Sequence, residues 1–212
     1  MAIVVLSPGI LTSVQDGGRY GYQQYGVSPS GPMDSRALAT ANLLVGNDPA
    51  EAGLEMTLMG AELKFTDAAL IALTGADMGA SLSGVKADRY RALQVKTGDV
   101  LKLGFALSGC RGYLAVRGGI DVKKVMGSRS TMIGKSFGGF EGRKLMKGDV
   151  LKIRPAEGDL PRAGALRPGL SLPVPDDRGA VLPGAGRIWA SPGLSSGDPF
   201  APCGGSGGRA AG

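Results

Sequence analysis

The sequence predicts a mainly β protein, barrel-like or sandwich-like, with one substantial helix. Three observations lead there. Of 212 residues, 37 are Gly and 13 are Pro. Such a chain turns often, because Gly permits positive φ and Pro breaks regular elements. Short alternating apolar segments recur between Gly, Asp and Asn, the pattern of brief half-buried strands. Only one stretch, from about Asp34 to Leu44, carries a helical period.

The elements follow in order. Residues 3–6 read as a strand, and Ser7 to Pro32 as a long turn-rich segment. The helix has Asp34 to cap it, an apolar face of Ala37, Leu38, Ala41, Leu44 and Val45, and Gly46 to end it. Strands are expected at 54–58, 62–65, 69–74, 92–96, 100–103, 113–116 and 150–153. Gly98-Asp99-Val100-Leu101-Lys102-Leu103 is echoed by Gly148-Asp149-Val150-Leu151-Lys152-Ile153. Each copy is a Gly-Asp turn feeding an alternating strand.

Composition changes near Gly164. Residues 164–212 contain 12 Gly and 7 Pro and no Lys. Such a segment buries too little apolar surface to offset its ordering entropy. The expected organisation is therefore a folded domain over 1–163 and an irregular Gly/Pro-rich tail over 164–212, disordered or the product of a shifted reading frame.

Several chemistries are excluded. There is no histidine, which removes every Ser-His or Cys-His couple and the commonest metal ligand. Cys110 and Cys203 form no CxxC, so no metal site is expected. Met1–Leu6 reads as a first strand rather than a signal peptide, and no apolar run approaches membrane-spanning length. A cytoplasmic protein that binds neither membrane nor nucleic acid is expected. From Arg117 to Arg154 there are ten Lys/Arg against three Asp/Glu. The choice there lies between a solvated face and a surface for a carboxylate, phosphate or acidic partner.

Two constellations carry candidate chemistry. In Thr12-Ser13-Val14-Gln15-Asp16-Gly17-Gly18-Arg19, the side chains of Gln15, Asp16 and Arg19 could supply an acceptor, a carboxylate and a guanidinium fork. The plain alternative is a turn in which Asp16 and Arg19 pair with each other. In Gly127-Ser128-Arg129-Ser130-Thr131 and Phe137-Gly138-Gly139-Phe140-Glu141-Gly142-Arg143, hydroxyls and arginines would suit an oxyanion. The alternative there is basic hairpin loops. Arg19, Arg129 and Arg143 are expected to converge on one concave surface. Gly134-Lys135-Ser136 lacks the spacing of a phosphate-binding loop. Lys147, followed by Gly148, reads as a hairpin and not as a biotin carrier. Cys110 beside Arg111 reads as an incidental thiol.

The motifs at 7–19, 31–34, 41–47, 54–58, 73–77, 113–120, 127–131 and 137–143, in this order, resemble the allophanate hydrolase subunit 2 family. That family includes the C-type subunit of 5-oxoprolinase, KipA-type regulators and part of the carboxyltransferase domain of urea carboxylase. The resemblance implies a cyclophilin-like β-barrel. It also implies a partner of the KipI type (the B-type companion in 5-oxoprolinase), a third hydrolase subunit, and a site shared between partners. Members of the family carry a second barrel-like half, which the tail here does not resemble. The implied activity is ATP-dependent opening of 5-oxoproline to glutamate, with ATP as cosubstrate of the complex. The alternatives are a non-catalytic regulator that binds a kinase inhibitor, and carboxyl transfer from carboxybiotin to urea. On this reading Gln15, Asp16 and Glu55 are the catalytic candidates. Arg19, Arg129, Ser130 and Arg143 are the candidates for a small carboxylate or amide substrate.

Overall fold

The computed structural model describes residues 1–156. Its strands are β1 (Ala2–Ser7), β2 (Leu11–Gln15), β3 (Gly53–Thr57), β4 (Glu62–Phe65), β5 (Ala69–Asp77) and β6 (Ser81–Leu82). They continue with β7 (Val85–Lys86), β8 (Ala92–Val95), β9 (Val100–Lys102), β10 (Ser108–Val116) and β11 (Val150–Lys152). One α-helix, α1 (Ser35–Leu44), lies between β2 and β3. The strands form two antiparallel sheets, ordered β11-β1-β4-β9-β6-β7 and β2-β3-β10-β5-β8. The mainly β architecture with one substantial helix is as the sequence predicts. The expected tail, 164–212, lies outside the described residues.

One core fills the space between the sheets. Ile3, Val5, Leu63, Phe65, Leu101 and Leu151 come from the first sheet; Val14, Leu54, Met56, Ile71, Leu73, Leu114 and Val116 come from the second. Strict alternation sends the intervening residues to the other faces. In the second sheet the registers align Val14, Leu54, Leu114 and Leu73 in one row. The next row is Ser13, Glu55, Tyr113 and Thr74. The first row is core. The second lies on the opposite face and is polar, yet all four residues are buried.

Helix α1 covers part of that second face. Asp34 caps it, its carboxylate accepting from the Ala37 amide at 3.0 Å. Ala37 and Leu38 pack on Tyr113, and Thr74 Oγ1 donates to the Ala37 carbonyl at 2.8 Å. Burying a side chain such as Leu38 contributes about 1.5–3 kcal/mol. Gly53 permits the close approach: a Cβ there would sit 2.9 Å from Leu38 Cδ1 and 2.8 Å from the Leu114 carbonyl oxygen.

The structure corrects the turn-rich reading of 7–32, because Leu11–Gln15 is a strand. Its sequence, LTSVQ, is polar enough to pass for loop, but its outer edge is covered by backbone. The Thr131 amide donates to the Val14 carbonyl at 2.9 Å, and the Leu145 amide to the Thr12 carbonyl at 2.8 Å. β5 and β10 also run longer than expected, and their register shifts between Ser108 and Gly112.

The Gly-Asp echo is a structural one. Asp99 accepts from the Lys96 amide and Asp149 from the Met146 amide, both at 2.8 Å. The Gly98 and Gly148 amides donate to Phe65 and Val5, and the Asp99 and Asp149 carbonyls accept from the same two residues. Each turn thus launches its strand antiparallel to the neighbour, β9 on β4 and β11 on β1.

Candidate functional site

The segment 15–19 and the loop 125–131 interlock. Asp16 is 7% exposed. Its Oδ1 accepts from Ser128 Oγ at 2.6 Å, Ser130 Oγ at 2.7 Å and the Gly18 amide at 3.0 Å; its Oδ2 accepts from the Arg129 amide at 2.5 Å. Arg19 works in the opposite sense. It is 1% exposed, and it donates from Nε to the Val125 carbonyl at 2.9 Å and from Nη2 to the Ser130 carbonyl at 3.0 Å. Its guanidinium stacks over Phe137 at 4.9 Å. Gly138 lets that loop close over it, since a Cβ would lie 2.8 Å from Arg19 Nη2 and closer still to the Ser130 carbonyl oxygen.

The two motifs singled out in the sequence are therefore complementary halves of one clamp. The carboxylate gathers donors and the guanidinium gathers carbonyls. Asp16 and Arg19 form no ion pair with each other, so the simple paired turn is not what the chain builds. A buried charge is tolerable only when its hydrogen-bonding capacity is met, and both residues meet it on the same loop. Gln15 joins from the strand, with Nε2 donating to Ser13 Oγ at 3.0 Å and to the Thr131 carbonyl at 3.4 Å. Its Oε1 is buried and accepts no hydrogen bond.

Glu55 holds a second cluster on the polar row. Its Oε2 accepts from the Met33 amide at 2.7 Å and from the Tyr113 hydroxyl at 2.9 Å. Its Oε1 accepts from Arg111 Nη1 at 2.8 Å. Arg111 Nη1 also donates to Thr57 Oγ1 at 2.9 Å. The Tyr113 hydroxyl accepts from the Asp34 amide at 2.7 Å. Burial pushes the Tyr113 hydroxyl well above the usual phenol range, with the Glu55 charge adding to it and the Asp34 amide opposing it. Tyr113 is thus a neutral donor that ties the start of α1 to the sheet.

The three arginines take separate partners. Arg129 donates from Nε to the Val122 carbonyl at 3.0 Å and lies 3.8 Å from Glu51, which Arg154 also pairs with. Arg143 is bound by Asp149 through both Nη atoms, at 2.7 and 3.0 Å, and by Glu141. Asp149 holds the Arg143 guanidinium above its usual range, and Arg143 in turn holds the Asp149 carboxyl below the usual carboxylate range. Ion pairing of this kind arises because a guanidinium fork takes the nearest carboxylate, and here that carboxylate lies within the chain.

Gln15, Asp16, Arg19, Ser130 and the Arg129 backbone thus come together. Glu55 lies across the sheet from Ser13 on the polar row. Arg143 shares no hydrogen-bond partner with them. Ser128 joins the Asp16 clamp, and Arg111 and Tyr113 join the Glu55 cluster; of the three, the sequence reading places only Ser128 in a candidate constellation. Arg111 and Tyr113 alternate on β10 opposite Thr57 and Glu55, and that period-2 polar pattern in an apolar strand is the signal that marks them.

Among the described residues no cluster of His, Cys, Asp and Glu could hold a metal ion, and no helix is long and apolar enough to cross a membrane. Gly134-Lys135-Ser136 forms part of a single exposed 3-10 turn. The N-terminus of α1 already carries the Asp34 carboxylate. Neither arrangement fits a nucleotide phosphate, which needs free backbone N–H groups.

The sequence matches the carboxyltransferase domain, subdomain A and B, over residues 25–193. It is 45% identical over 151 residues to urea amidolyase of Saccharomyces cerevisiae, covering 71% of this chain and 8% of that protein. It is 40% identical over 194 residues to the C-type subunit of 5-oxoprolinase from Escherichia coli, covering 89% of this chain and 63% of that protein. The crystal structure of the Kluyveromyces lactis urea amidolyase superposes with a TM-score of 0.71 at 44% identity, over 76% of this chain and 10% of that chain. The chain therefore spans less than two thirds of each of these relatives. With four fifths of its length matched by the family and its sheets superposing on a solved relative, the chain belongs to the carboxyltransferase domain, subdomain A and B, family.

Proposed function

We propose that this chain is a subunit of an ATP-dependent 5-oxoprolinase, which opens the lactam of 5-oxoproline to glutamate together with partner subunits. One observation carries the reading: the likeness to the C-type 5-oxoprolinase subunit extends over 89% of this chain and 63% of that protein. The relation to urea amidolyase involves only 8% of a much longer protein. In this reading ATP is held by the partners, because the described residues offer no phosphate cradle. This chain contributes a rigid β scaffold and polar groups to a site that the partners complete. The finer assignment to a KipI-type partner, and a cytoplasmic setting, belong to the same proposal.

A second reading has support of its own. The higher identity, 45%, is to urea amidolyase, so carboxyl transfer from carboxybiotin to urea is the competing activity. One experiment separates them. The chain is purified with the two other 5-oxoprolinase subunits and supplied with 5-oxoproline and ATP, then in parallel with a biotin carboxylase component, bicarbonate, ATP and urea. Glutamate in the first arm supports the proposal. Urea carboxylation in the second overturns it. Stable complex formation with neither product indicates a KipA-type binding role and overturns it too.

A further inference from the structure

Resting on the 5-oxoprolinase reading, we propose that Arg111 binds the carboxylate of the substrate, through the edge of its guanidinium that the fold leaves open.

Two arginines of the described chain are engaged through all three guanidinium nitrogens. Arg19 is buried and hydrogen-bonded through Nε, Nη1 and Nη2. Arg143 donates to Glu141 and Asp149 through Nε, Nη1 and Nη2. Arg111 differs. Only its Nη1 is engaged, by Glu55 at 2.8 Å and Thr57 at 2.9 Å. Nε and Nη2, which form the adjacent edge of the fork, make no bond with any described residue, and the side chain is 26% exposed. A guanidinium held by one nitrogen on a rigid strand, with the other edge free, is oriented for bidentate recognition of a second carboxylate.

Glu55 beside it does not forbid an anion. Its charge is already answered by three donors, the Met33 amide, the Tyr113 hydroxyl and Arg111 itself. It sits on the Nη1 side, away from the open edge. Glu55 therefore acts as the positioning group, fixing the rotation of the guanidinium. One flank adds a hydroxyl to the charge. Thr57 Oγ1 accepts from Arg111 and keeps its own proton to donate. The inferred ligand group is thus a carboxylate, which on the 5-oxoprolinase reading is that of the lactam substrate.

The test uses the complete complex with wild-type chain, Arg111→Lys and Arg111→Ala, measuring kcat and KM for 5-oxoproline, KM for ATP, and Tm. 2-Pyrrolidinone, the same lactam without the carboxylate, serves as the second substrate. Arg111→Lys keeps a cation for Glu55 and loses the fork, so its Tm stays close to wild type. Its KM for 5-oxoproline should rise by roughly tenfold or more, as expected for losing a charged bidentate contact. KM for ATP and whatever rate the wild-type complex shows on 2-pyrrolidinone should not change. Unchanged KM for 5-oxoproline in both variants overturns the inference and leaves the 5-oxoprolinase reading standing. An equal loss on both lactams that tracks Tm also overturns it, since a purely structural role behaves that way. A wild-type complex that releases no glutamate from 5-oxoproline overturns the functional reading and this inference together.

Discussion

Asp16 and Glu55 are both buried carboxylates at the same five-stranded sheet, and they organise their surroundings differently. Asp16 accepts four hydrogen bonds from a single neighbourhood, residues 18 and 128–130. Arg19 seals the same loop from the other side through Val125 and Ser130. Gln15 Oε1 is the one buried side-chain atom of this clamp that has no hydrogen-bond partner among the described residues. Glu55 gathers groups from separate places: the loop before α1, β10 and, through Arg111, Thr57 of its own strand. It ends in a partly exposed guanidinium with one edge open. The polar groups picked out around Asp16 are bound mainly to one another, whereas the Glu55 cluster ends at Arg111, outside the strand expected at 113–116.

Removing Asp16 should break the first half of this contrast most severely. Asp16→Ala strands four donors in a buried setting, at about 1–3 kcal/mol for a buried donor left unsatisfied, so a total near ~4 kcal/mol is expected after partial relaxation. Urea denaturation of the full chain measures it. Arg19→Met should cost less, about 2–3 kcal/mol, since two carbonyls lose their donor and the contact with Phe137 is lost. Its loop 125–131 should also show faster amide exchange than wild type, while the core strands keep their protection.

The Arg143–Asp149 pair lies closer to solvent and should matter less, under about 1 kcal/mol at neutral pH. Its pH dependence has a definite sign. Arg143 lowers the Asp149 carboxyl in the folded state, so the contribution is complete above the ordinary carboxylate range near ~4. It is lost as pH falls through the lowered folded value. The stability difference between wild type and Asp149→Asn should therefore vanish in acid and persist at neutral pH. The smallest effect is expected at Gln15→Leu. That change loses two side-chain bonds but also removes a buried acceptor without a partner, and the two nearly cancel to within about 1 kcal/mol.

Much of this is legible in the sequence, for physical reasons. Alternation in β3, β4 and β9 is local, and so is the Asp34 cap of α1. The Gly-Asp turns at 98–99 and 148–149 repeat because their local chemistry repeats. β2 escapes a sequence reading because LTSVQ looks like loop until the edge partners Thr131 and Leu145 are known. The association of Gln15, Asp16 and Arg19 with residues 128–131 can be suspected from two unusual motifs, but not the division of labour between them. That depends on contacts more than 100 positions apart in sequence. Arg111 enters the sequence reading as the neighbour of Cys110, and its alternation with Tyr113 is the one local signal that marks it. Its role rests on the register that sets it opposite Thr57 and sets Tyr113 opposite Glu55, and no local pattern carries that register.

The contrast between frame and open corner is tested most directly by comparing Ser128→Ala with Arg111→Lys in the assembled complex, measuring Tm and the KM for 5-oxoproline for each. Ser128 Oγ donates to Asp16 at 2.6 Å and accepts from the Ser130 amide at 2.9 Å. Its loss should lower Tm, by about 1–3 kcal/mol of stability, and leave KM where it was. Arg111→Lys should do the reverse, keeping Tm and raising KM. If Ser128→Ala raises KM at unchanged Tm, or if Arg111→Lys lowers Tm at unchanged KM, the assignment of frame and working corner is wrong.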